Sequence, residues 1–392
     1  MSRLRATRVV QVVDSLAMGG AQRVVLRLAA AARVRRDVEV SIVTIRDALD
    51  PELTREAAHL GVSIRRIKPV TRRDLADPSM LVRLGKEFRR HDVVQCHLGT
   101  ANTLGPAAAA LARRPCIATL HTVNLARSER RAGTQLRRRA GDLMVRRAAT
   151  AVVAVGHAVR EAQADRAGHR DIAVIPNPAP SGAPISADER ARERGRLGLS
   201  DAGMVLVSVG RLEPPKGLDV LLASFASIDD AAHLVIVGDG SQRHDLEQQA
   251  AALGIRERVH LIGQTDRVSA VLAVADVFVS SSRREGMPMA ILEAMARGLP
   301  VVATAVGDVA STVSGAGIVV QPERADDLAD GIRRLTANAG LRARLGSEGL
   351  RRSEAEYGEA QWMQQWSELW HALGATGARS GERRQCASST ES

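Results

Sequence analysis

Short runs of β-branched and other apolar residues alternate with longer stretches rich in Ala, Leu and Arg along most of the chain. Strands separated by helical stretches of about 10–15 residues are typical of βαβ units, which build a parallel sheet with helices on both faces. The first half is therefore predicted to be α/β. Its predicted strands are Val9–Val13, Val38–Ile45, Val62–Ile67, Asp92–His97, Cys116–His121, Ala151–Val155 and Ala173–Ile175.

A second alternating series follows the segment Ile175–Ser186, which contains four prolines and few helix-forming residues. Such a segment indicates a domain boundary. The chain is thus interpreted as two doubly wound, Rossmann-like domains, 1–178 and 179–360, with a C-terminal helix at 361–373 and a small, polar, disordered tail at 374–392. The predicted strands of the second domain are Met204–Val209, His233–Val237, Val259–Ile262, Asp276–Ser280, Leu299–Ala303 and Ile318–Val320.

Charge is distributed unevenly between these halves. Residues 1–180 carry 32 Lys/Arg against 16 Asp/Glu, whereas residues 181–392 carry 23 against 28, so the net charge of +11 is the sum of +16 in the first half and −5 in the second. This distribution predicts an anionic partner for the first domain. Nucleic acid is the less favoured partner, since only 2% of the residues are aromatic and base-stacking platforms need aromatic side chains.

The cysteines and the apolar segments exclude several other classes of protein. Three cysteines without Cys-x-x-Cys spacing predict neither disulfides nor a zinc site, and no cofactor is expected. The first residues lack an apolar core of signal-peptide length. The longest uncharged apolar stretch, Leu104–Ala112, has about half the length of a membrane-spanning helix. These features predict a cytoplasmic protein.

Two glycine-containing loops follow predicted strands, where ligands bind in open α/β sheets. Gly19 and Gly20 precede a helix, where they either let the backbone approach a phosphate or simply form a tight turn. The loop Gly210–Gly217 contains Arg211 and Lys216, and Lys216 is one of only three lysines. An arginine and a lysine on one loop suit a diphosphate, although an ordinary basic surface loop is the alternative.

A pair of glutamates follows the predicted strand Asp276–Ser280. Glu285 lies in the loop, and Glu293 lies in the helix that starts near Pro288. Spaced in this way, the two carboxylates could hold different parts of one elongated ligand, with backbone N–H groups of the first helical turn available to phosphate. The alternatives are a carboxylate stabilised by the helix dipole at Glu285 and a solvated helix position at Glu293.

Taken together, these motifs resemble the retaining glycosyltransferase family 4 of the bacterial group 1 type, which has the GT-B fold. The resemblance covers nearly the whole ordered chain and is most specific in the C-terminal half. The chain departs from many members at Gln22, where they have Glu, and at Pro178, where they have Gly. The matching segments are Met18–Gln22, Ile175–Asn177, Gly210–Arg211, Lys216–Gly217, Gly238–Gly240, Glu285–Pro288, Glu293–Ala294 and Gly298–Val302.

The resemblance implies two Rossmann-like domains facing across a cleft that holds a nucleotide-diphosphate sugar, with the final helix crossing back to the first domain. Arg211 and Lys216 would neutralise the diphosphate without a metal ion, since no Asp-x-Asp motif is present. Glu285 would bind the hydroxyls of the transferred sugar and Glu293 those of the ribose. The other implied donor-binding residues are Gly19, Gly20, Gly210, Gly286, Met287 and Met289.

The implied role of His121, at the end of a predicted strand, is to face the transferred sugar, while a capping role is the alternative. His97 also ends a strand, and a structural role is favoured for it. In this family the first domain usually receives the acceptor, often a lipid-linked or cell-envelope glycan. The transferred unit would be a hexosyl group, delivered to the face that the diphosphate leaves, and would serve polysaccharide biosynthesis.

Arg127–Arg147 contains eight arginines and two acidic residues, a composition that suits an anionic membrane surface. A solvated arginine-rich helix is the alternative. Membrane binding here would make the protein peripheral at the inner face of the cytoplasmic membrane. The three tryptophans, Trp362, Trp366 and Trp370, form one helical stripe that is interpreted as a packing surface. Two other functions remain open, a sugar-nucleotide 2-epimerase on the same fold and a basic nucleic-acid-binding protein.

Overall fold

A computed structural model of the chain describes residues 5–16, 19–46, 49–67, 78–123, 132–164, 168, 171–180, 186–199 and 203–388. The chain divides into two compact units. The first contains Met1–Pro176 together with Ala360–Ser392, and the second contains Asn177–Glu359. The borders predicted from the sequence are 178/179 and 360/361, whereas the fold divides the chain after Pro176 and after Glu359.

The first unit is built on a seven-stranded parallel sheet in the order β3-β2-β1-β4-β5-β6-β7. The strands are β1 (Thr7–Val13), β2 (Val38–Thr44), β3 (Ile64–Arg66), β4 (Val93–His97), β5 (Cys116–Leu120), β6 (Ala151–Ala154) and β7 (Ile172–Val174). The helices are α1 (Gly20–Arg33), α2 (Pro51–His59), α3 (Pro78–Phe88), α4 (Gly99–Ala112), α5 (Ala132–Ala148), α6 (His157–Ala162) and, from the chain's end, α15 (Glu359–Ser388).

The second unit has a six-stranded parallel sheet in the order β10-β9-β8-β11-β12-β13. The strands are β8 (Val205–Val209), β9 (His233–Val237), β10 (Val259–Gly263), β11 (Val277–Ser280), β12 (Val301–Thr304) and β13 (Gly317–Val320). The helices are α7 (Ala187–Arg196), α8 (Leu218–Phe225), α9 (Arg243–Ala252), α10 (Val268–Val274), α11 (Met289–Met295), α12 (Val309–Val313), α13 (Ala325–Ala337) and α14 (Ala339–Tyr357), with short 3₁₀ helices at Pro214–Lys216 and Arg256–Arg258.

All thirteen predicted strands are present, and every pairing between them is parallel. The apolar runs form strands because both faces of each sheet are covered: in the second unit one buried cluster contains Leu206 and Val279, and another contains Val207 and Phe278. Alternate residues of a strand point to opposite faces, so a strand buried on both sides must be apolar throughout. The α/β prediction is confirmed.

The C-terminal residues differ from the prediction. The composition of residues 374–392 predicts a disordered tail, whereas α15 continues as far as Ser388. Ala, Arg, Glu and Gln in this segment are good helix formers, and each glycine costs a helix only about 1 kcal/mol. The elongation of a helix that has already formed requires little free energy per residue, so polar composition alone did not end it.

Candidate functional site

In each sheet the strand order reverses beside the first strand of its unit, between β1 and β4 and between β8 and β11. Loops that leave the two central strands at such a point diverge and leave a crevice, which is where open α/β sheets bind ligands. In the second unit the loop after β8 carries Arg211 and Lys216, and the loop after β11 carries Glu285. Parallel pairing of β8 with β11 brings these two loops to the same edge.

Lys216 and Glu285 form the centre of this site. The Lys216 Nζ lies 2.5 Å from the Glu285 Oε1, and both side chains are largely removed from solvent, with 24% and 13% of their surface exposed. The Ser282 hydroxyl donates a second hydrogen bond to the same oxygen, at 2.7 Å. Among the described residues, Glu285 Oε2 receives no hydrogen bond, so that this oxygen can accept one from a ligand.

Backbone contacts hold the two loops together beneath this ion pair. Gly217 has φ of 60°, and a Cβ there would lie 2.2 Å from the carbonyl oxygen of Ser281. The Ser281 hydroxyl donates to the Lys216 carbonyl oxygen at 3.0 Å, and the Arg283 N–H donates to the Pro215 carbonyl oxygen at 2.9 Å. The position of Lys216 is therefore determined by the loop after β11.

The Arg283 side chain stabilises the backbone around the site and does not add a group to the crevice. Its guanidinium makes two hydrogen bonds of 2.7 Å to the Asp219 carboxylate and one of 3.0 Å to the Pro214 carbonyl oxygen. Hydrogen bonding to Asp219, and then to Glu323, raises the pKa of Arg283, and the same bidentate contact lowers the pKa of Asp219. Arg283 therefore remains charged and bound to its own unit at any physiological pH.

Arg211 is exposed, and no hydrogen bond or salt bridge to its side chain occurs within the described part of the chain. The loop that carries Arg211 packs tightly against Gly238. A Cβ on Gly238, which has φ of 136°, would lie 1.9 Å from the Gly210 carbonyl oxygen. A Cβ on Gly210 would lie 3.1 Å from Cε of Lys216. The lack of side chains at Gly210 and Gly238 thus leaves room for Lys216 and for the loop that carries Arg211.

The loop and helix after β11 place the remaining predicted residues. Gly286 accepts a hydrogen bond from the Asp308 N–H at 3.0 Å. The side chains of Met287 and Met289 are buried, and Met287 receives two hydrogen bonds of 3.2 Å from Asn177, at its sulfur and its carbonyl oxygen. Glu293 lies on α11 with 9% of its surface exposed.

The first unit contributes a separate group of residues at the carboxyl edge of its own sheet. Gly20 begins α1, and Gly19 precedes it with extended backbone at φ of 176°, a conformation open to any residue. A Cβ on Gly19 would lie 2.5 Å from the Gln22 Oε1, which is the end of a flexible side chain, so that neither φ nor space requires glycine there. Met18, the first residue of the matching segment, lies outside the described residues.

His121 lies directly after β5, and its Nε2 is 2.9 Å from the Nδ1 of His97, which ends β4. His97 is fully buried, and its Nε2 lies 2.5 Å from the Gln11 Oε1. Burial lowers the pKa of His121 to about 4, and burial together with the neighbouring His121 holds the pKa of His97 well below its usual value. Both imidazoles are therefore neutral at pH 7.

The geometry also includes residues that the motifs did not indicate. Ser282 binds Glu285, Ser281 binds the backbone of Lys216, and the Thr304 hydroxyl donates to the Ser282 carbonyl oxygen at 2.5 Å. In the first unit the missed residues are Gln11 and Gln95, whose side chains are hydrogen-bonded to each other at 3.0 Å. The available signals were three consecutive serines at the end of a strand and a Gln within each of two otherwise apolar strands.

Comparison with known proteins identifies the family. Residues 189–352 match the family described as "Glycosyl transferases group 1", and residues 18–180 match "Glycosyltransferase Family 4". A D-inositol 3-phosphate glycosyltransferase of Nocardia farcinica is 30% identical over 367 residues, which is 85% of this chain and 80% of that protein. The chain belongs to the group 1 glycosyltransferases of family 4.

Other similarities are shorter or concern only the fold. A GDP-mannose-dependent monoacylated alpha-(1-6)-phosphatidylinositol monomannoside mannosyltransferase of Corynebacterium glutamicum is 30% identical over 187 residues, or 44% of this chain and 49% of that protein. Several relatives match over only about half of their own length, as this one does. The crystal structure of Anabaena Alr3699/HepE in complex with UDP has a TM-score of 0.80 and 22% identity, covering 94% of this chain and all of that one. The fold is that of the GT-B glycosyltransferases.

None of the described helices combines the length and the apolar character needed to cross a membrane. Within the same residues, no group of three or more His, Cys, Asp or Glu side chains is arranged to hold a metal ion.

Proposed function

We propose that this glycosyltransferase moves a hexosyl unit from a nucleotide-diphosphate sugar to a lipid-linked or cell-envelope glycan acceptor, with retention of anomeric configuration and without a metal ion. The observation that carries the proposal is the contact of Lys216 with Glu285 at the strand-order reversal of the second sheet. The family assignment favours glycosyl transfer over the epimerase and nucleic-acid-binding alternatives.

Lys216 would stabilise the leaving diphosphate. Its ammonium is already partly desolvated against Glu285, so the attraction of an incoming phosphate is weakened less by water than it would be on an exposed loop. Arg211, which is exposed on the same loop, would add a planar guanidinium that can bind two phosphate oxygens. Stabilising the charge that develops on the leaving group lowers the barrier to breaking its bond to the sugar.

Glu285 would bind the transferred sugar. Its Oε1 is occupied by Lys216 and Ser282, and its Oε2 is free among the described residues to accept a hydrogen bond from a sugar hydroxyl. Binding of the diphosphate by Lys216 would weaken the ion pair and make more of the carboxylate available to the sugar. Glu293, on the helix that follows, would accept hydrogen bonds from the ribose hydroxyls.

Retention follows in this proposal from front-face delivery. The acceptor hydroxyl approaches the face from which the diphosphate departs, a phosphate oxygen takes the proton, and the new bond to the anomeric carbon forms as the old one breaks. Neither Glu285 nor Lys216 acts as a base. Catalysis would depend on the alignment of the reactants and on charge stabilisation.

The proposals for donor and acceptor draw on the relatives. The relative from Corynebacterium glutamicum is named for GDP-mannose and a phosphatidylinositol mannoside, and the Anabaena structure contains UDP. A nucleoside diphosphate is common to both, which supports a nucleotide-diphosphate sugar as the donor. The net charge of +16 on residues 1–180 supports a negatively charged acceptor or membrane surface for the first unit.

The test is incubation of the full chain with UDP-, GDP- and ADP-sugars, followed by nucleotide release and by protection against thermal unfolding. Lys216→Met and Glu285→Gln are expected to reduce turnover about 100- to 1000-fold, the range seen when one charge-stabilising group is removed. Lys86→Met and Glu247→Gln, which change exposed residues, are the matched controls. The proposal fails if no sugar nucleotide binds, or if the Lys216 and Glu285 variants turn over like the controls.

A further inference from the structure

A chain of hydrogen bonds runs through the interior of the first unit from α15 to His121. The Trp370 Nε1 lies 2.9 Å from the Gln95 Oε1, which also accepts from the Gln11 Nε2 at 3.0 Å. Gln11 continues to His97, and His97 continues to His121. Apart from His121, each of these side chains has at most 1% of its surface exposed, so water does not compete for their hydrogen bonds.

Trp370 determines the direction in which the hydrogen bonds of this series are donated. An indole Nε1–H can only donate, whereas an amide can present either its oxygen or its nitrogen, and a neutral imidazole can exchange its donor and acceptor nitrogens. The Gln95 atom that faces Trp370 must therefore be the oxygen. Its nitrogen then donates to the Thr119 hydroxyl, at 3.0 Å.

Each further side chain in this series of hydrogen bonds is oriented by the one before it. Because Gln95 presents its oxygen, Gln11 must present its nitrogen to Gln95 and its oxygen to His97. The His97 Nε2 then carries the hydrogen and donates to Gln11. The neutral His97 Nδ1 is an acceptor, and the His121 Nε2 must therefore donate to it.

Without the indole, the series of hydrogen bonds could be donated equally well in either direction. If both amides and both tautomers are exchanged, every contact from Gln95 to His121 remains a hydrogen bond, and the Thr119 hydroxyl can donate as readily as accept. Only the Trp370 Nε1–H would lose its partner. A buried donor left unsatisfied disfavours the reversed direction by about one to two orders of magnitude.

We propose that Trp370, acting through Gln95, Gln11 and His97, holds His121 in the Nε2–H tautomer, so that its Nδ1 presents a lone pair to a hydroxyl of the bound sugar. The contact with the sugar rests on the proposed role of His121 in sugar binding, whereas the tautomer does not. In the described part of the chain the His121 Nδ1 has no hydrogen-bond partner, and the imidazole is half-buried at the carboxyl edge of the sheet. Trp370, Gln95, Gln11 and His97 are positioning residues.

The tautomer determines what His121 can recognise. With Nδ1 unprotonated, His121 accepts a hydrogen bond from a hydroxyl and cannot donate one to a phosphate oxygen. If the hydrogen bonds ran in the opposite direction, the His121 Nδ1–H would be a donor. The C-terminal helix would therefore influence the chemistry of a residue directly after β5 without contacting the ligand.

The direct test is long-range ¹H–¹⁵N correlation NMR of the full-length chain, labelled with ¹⁵N-histidine, at pH 7. His121→Gln and His97→Gln assign the two rings by the signals they remove. We expect both rings to show a protonated Nε2 and an unprotonated Nδ1. A protonated Nδ1 on His121 in the unsubstituted chain overturns the proposal, and this result requires no stable variant.

A pair of tryptophan variants then tests the cause. Trp370→Phe removes the anchoring N–H, and we expect both rings to show a mixture of tautomers or the reversed one. Trp366→Phe is the matched control: Trp366 lies on the same helix, is equally buried and stacks on Trp370 at 6.2 Å, but its Nε1 has no hydrogen-bond partner among the described residues. Unchanged tautomers in Trp370→Phe, or an equal change in Trp366→Phe, would refute the role of Trp370.

Activity provides a second and separable result. Trp370→Phe is expected to lower kcat/KM for the sugar nucleotide about three- to tenfold with the affinity for the free nucleotide unchanged, because one hydrogen bond to the sugar weakens. Trp366→Phe should match the unsubstituted chain. If no sugar nucleotide binds to any of these proteins, the proposed function fails, while the NMR spectra still decide whether Trp370 sets the tautomer.

Discussion

Lys216 and Glu285 illustrate how a charged pair can be retained at a partly buried position. Each side chain gives up most of its hydration, and removal of one partner would leave the other as an uncompensated charge. The hydroxyl of Ser282 supplies one further hydrogen bond to the carboxylate. The pair is therefore already ordered before a ligand arrives, which reduces the entropy that donor binding must overcome.

His121 and His97 make the stability of the first unit depend on pH. Both have pKa values lowered by burial, so the unfolded chain binds more protons than the folded one between about pH 4 and pH 6.5. The free energy of unfolding must then rise as pH rises through this window and fall as pH falls through it.

The expected contribution of His121 between pH 5 and pH 7 is about 1–2 kcal/mol. It can be measured by urea unfolding followed by tryptophan fluorescence, since all three tryptophans lie on α15 in the first unit. His121→Gln should unfold with a shallower pH dependence than the unsubstituted chain, and His244→Gln, an exposed histidine, should not. Equal pH dependence in all three proteins would contradict the assignment of a lowered pKa to His121.

At the scale of elements, two loops at the carboxyl edge of the second sheet are packed against each other, backbone to backbone. Gly217 lies where the loop after β8 touches the loop after β11, and Gly307 makes a similar approach from the loop after β12, where a Cβ would lie 2.2 Å from the Glu285 carbonyl oxygen. Both glycines have positive φ. The geometry of the ion pair is thus set by the close packing of backbone against backbone.

Gly217→Ala tests this packing. The new methyl group would collide with the Ser281 carbonyl oxygen, so the loops must separate and the contact between Lys216 and Glu285 must lengthen. We expect turnover to fall at least tenfold. Gly254→Ala is the matched control, because Gly254 has a similar φ of 70° with nothing within 4 Å of a new Cβ.

The control should cost only the strain of a left-handed residue, about 1–2 kcal/mol of stability, with turnover preserved. Thermal unfolding and the steady-state rate, measured on both variants, separate the two effects. Turnover that falls equally in both variants, or in neither, would show that the contact of Gly217 with Ser281 does not position the site.

At the scale of the whole molecule, the distribution of charge is the feature that most directly concerns the acceptor. Residues 1–180 carry a net charge of +16 and residues 181–392 carry −5. Part of the positive charge lies on α5 (Ala132–Ala148), while the preceding arginines of the segment Arg127–Arg147 lie outside the described residues. A basic helix near an anionic surface gains about 1 kcal/mol for each Lys or Arg.

We therefore predict that the chain binds vesicles of anionic lipid at low salt and detaches as the salt concentration rises, since salt screens these charges. Simultaneous Arg137→Glu, Arg138→Glu and Arg139→Glu should weaken flotation at least tenfold. The control is the same change at three exposed arginines of the second unit, Arg192, Arg334 and Arg344, which alters the net charge equally. No flotation of the unsubstituted chain, or equal loss in both triple variants, would remove the case for this surface.

The strands and the order of the elements could be predicted from the sequence, because a strand buried on both faces needs a continuous apolar run and the helical segments between the runs are long enough for parallel crossovers. Arg211, Lys216 and Glu285 could be predicted as candidates for a similar reason. They lie in loops that follow strands which must end at one edge of a parallel sheet.

The tertiary structure alone decided which atoms meet. The spacing of 69 residues between Lys216 and Glu285 does not indicate a contact of 2.5 Å, which depends on the pairing of β8 with β11. Gln11, Gln95 and Trp370 stand still further apart, and they form one chain of hydrogen bonds because β1 and β4 are neighbours and α15 packs beside them. Local patterns determine local structure, whereas the direction of a buried hydrogen-bond chain depends on contacts between residues far apart in sequence.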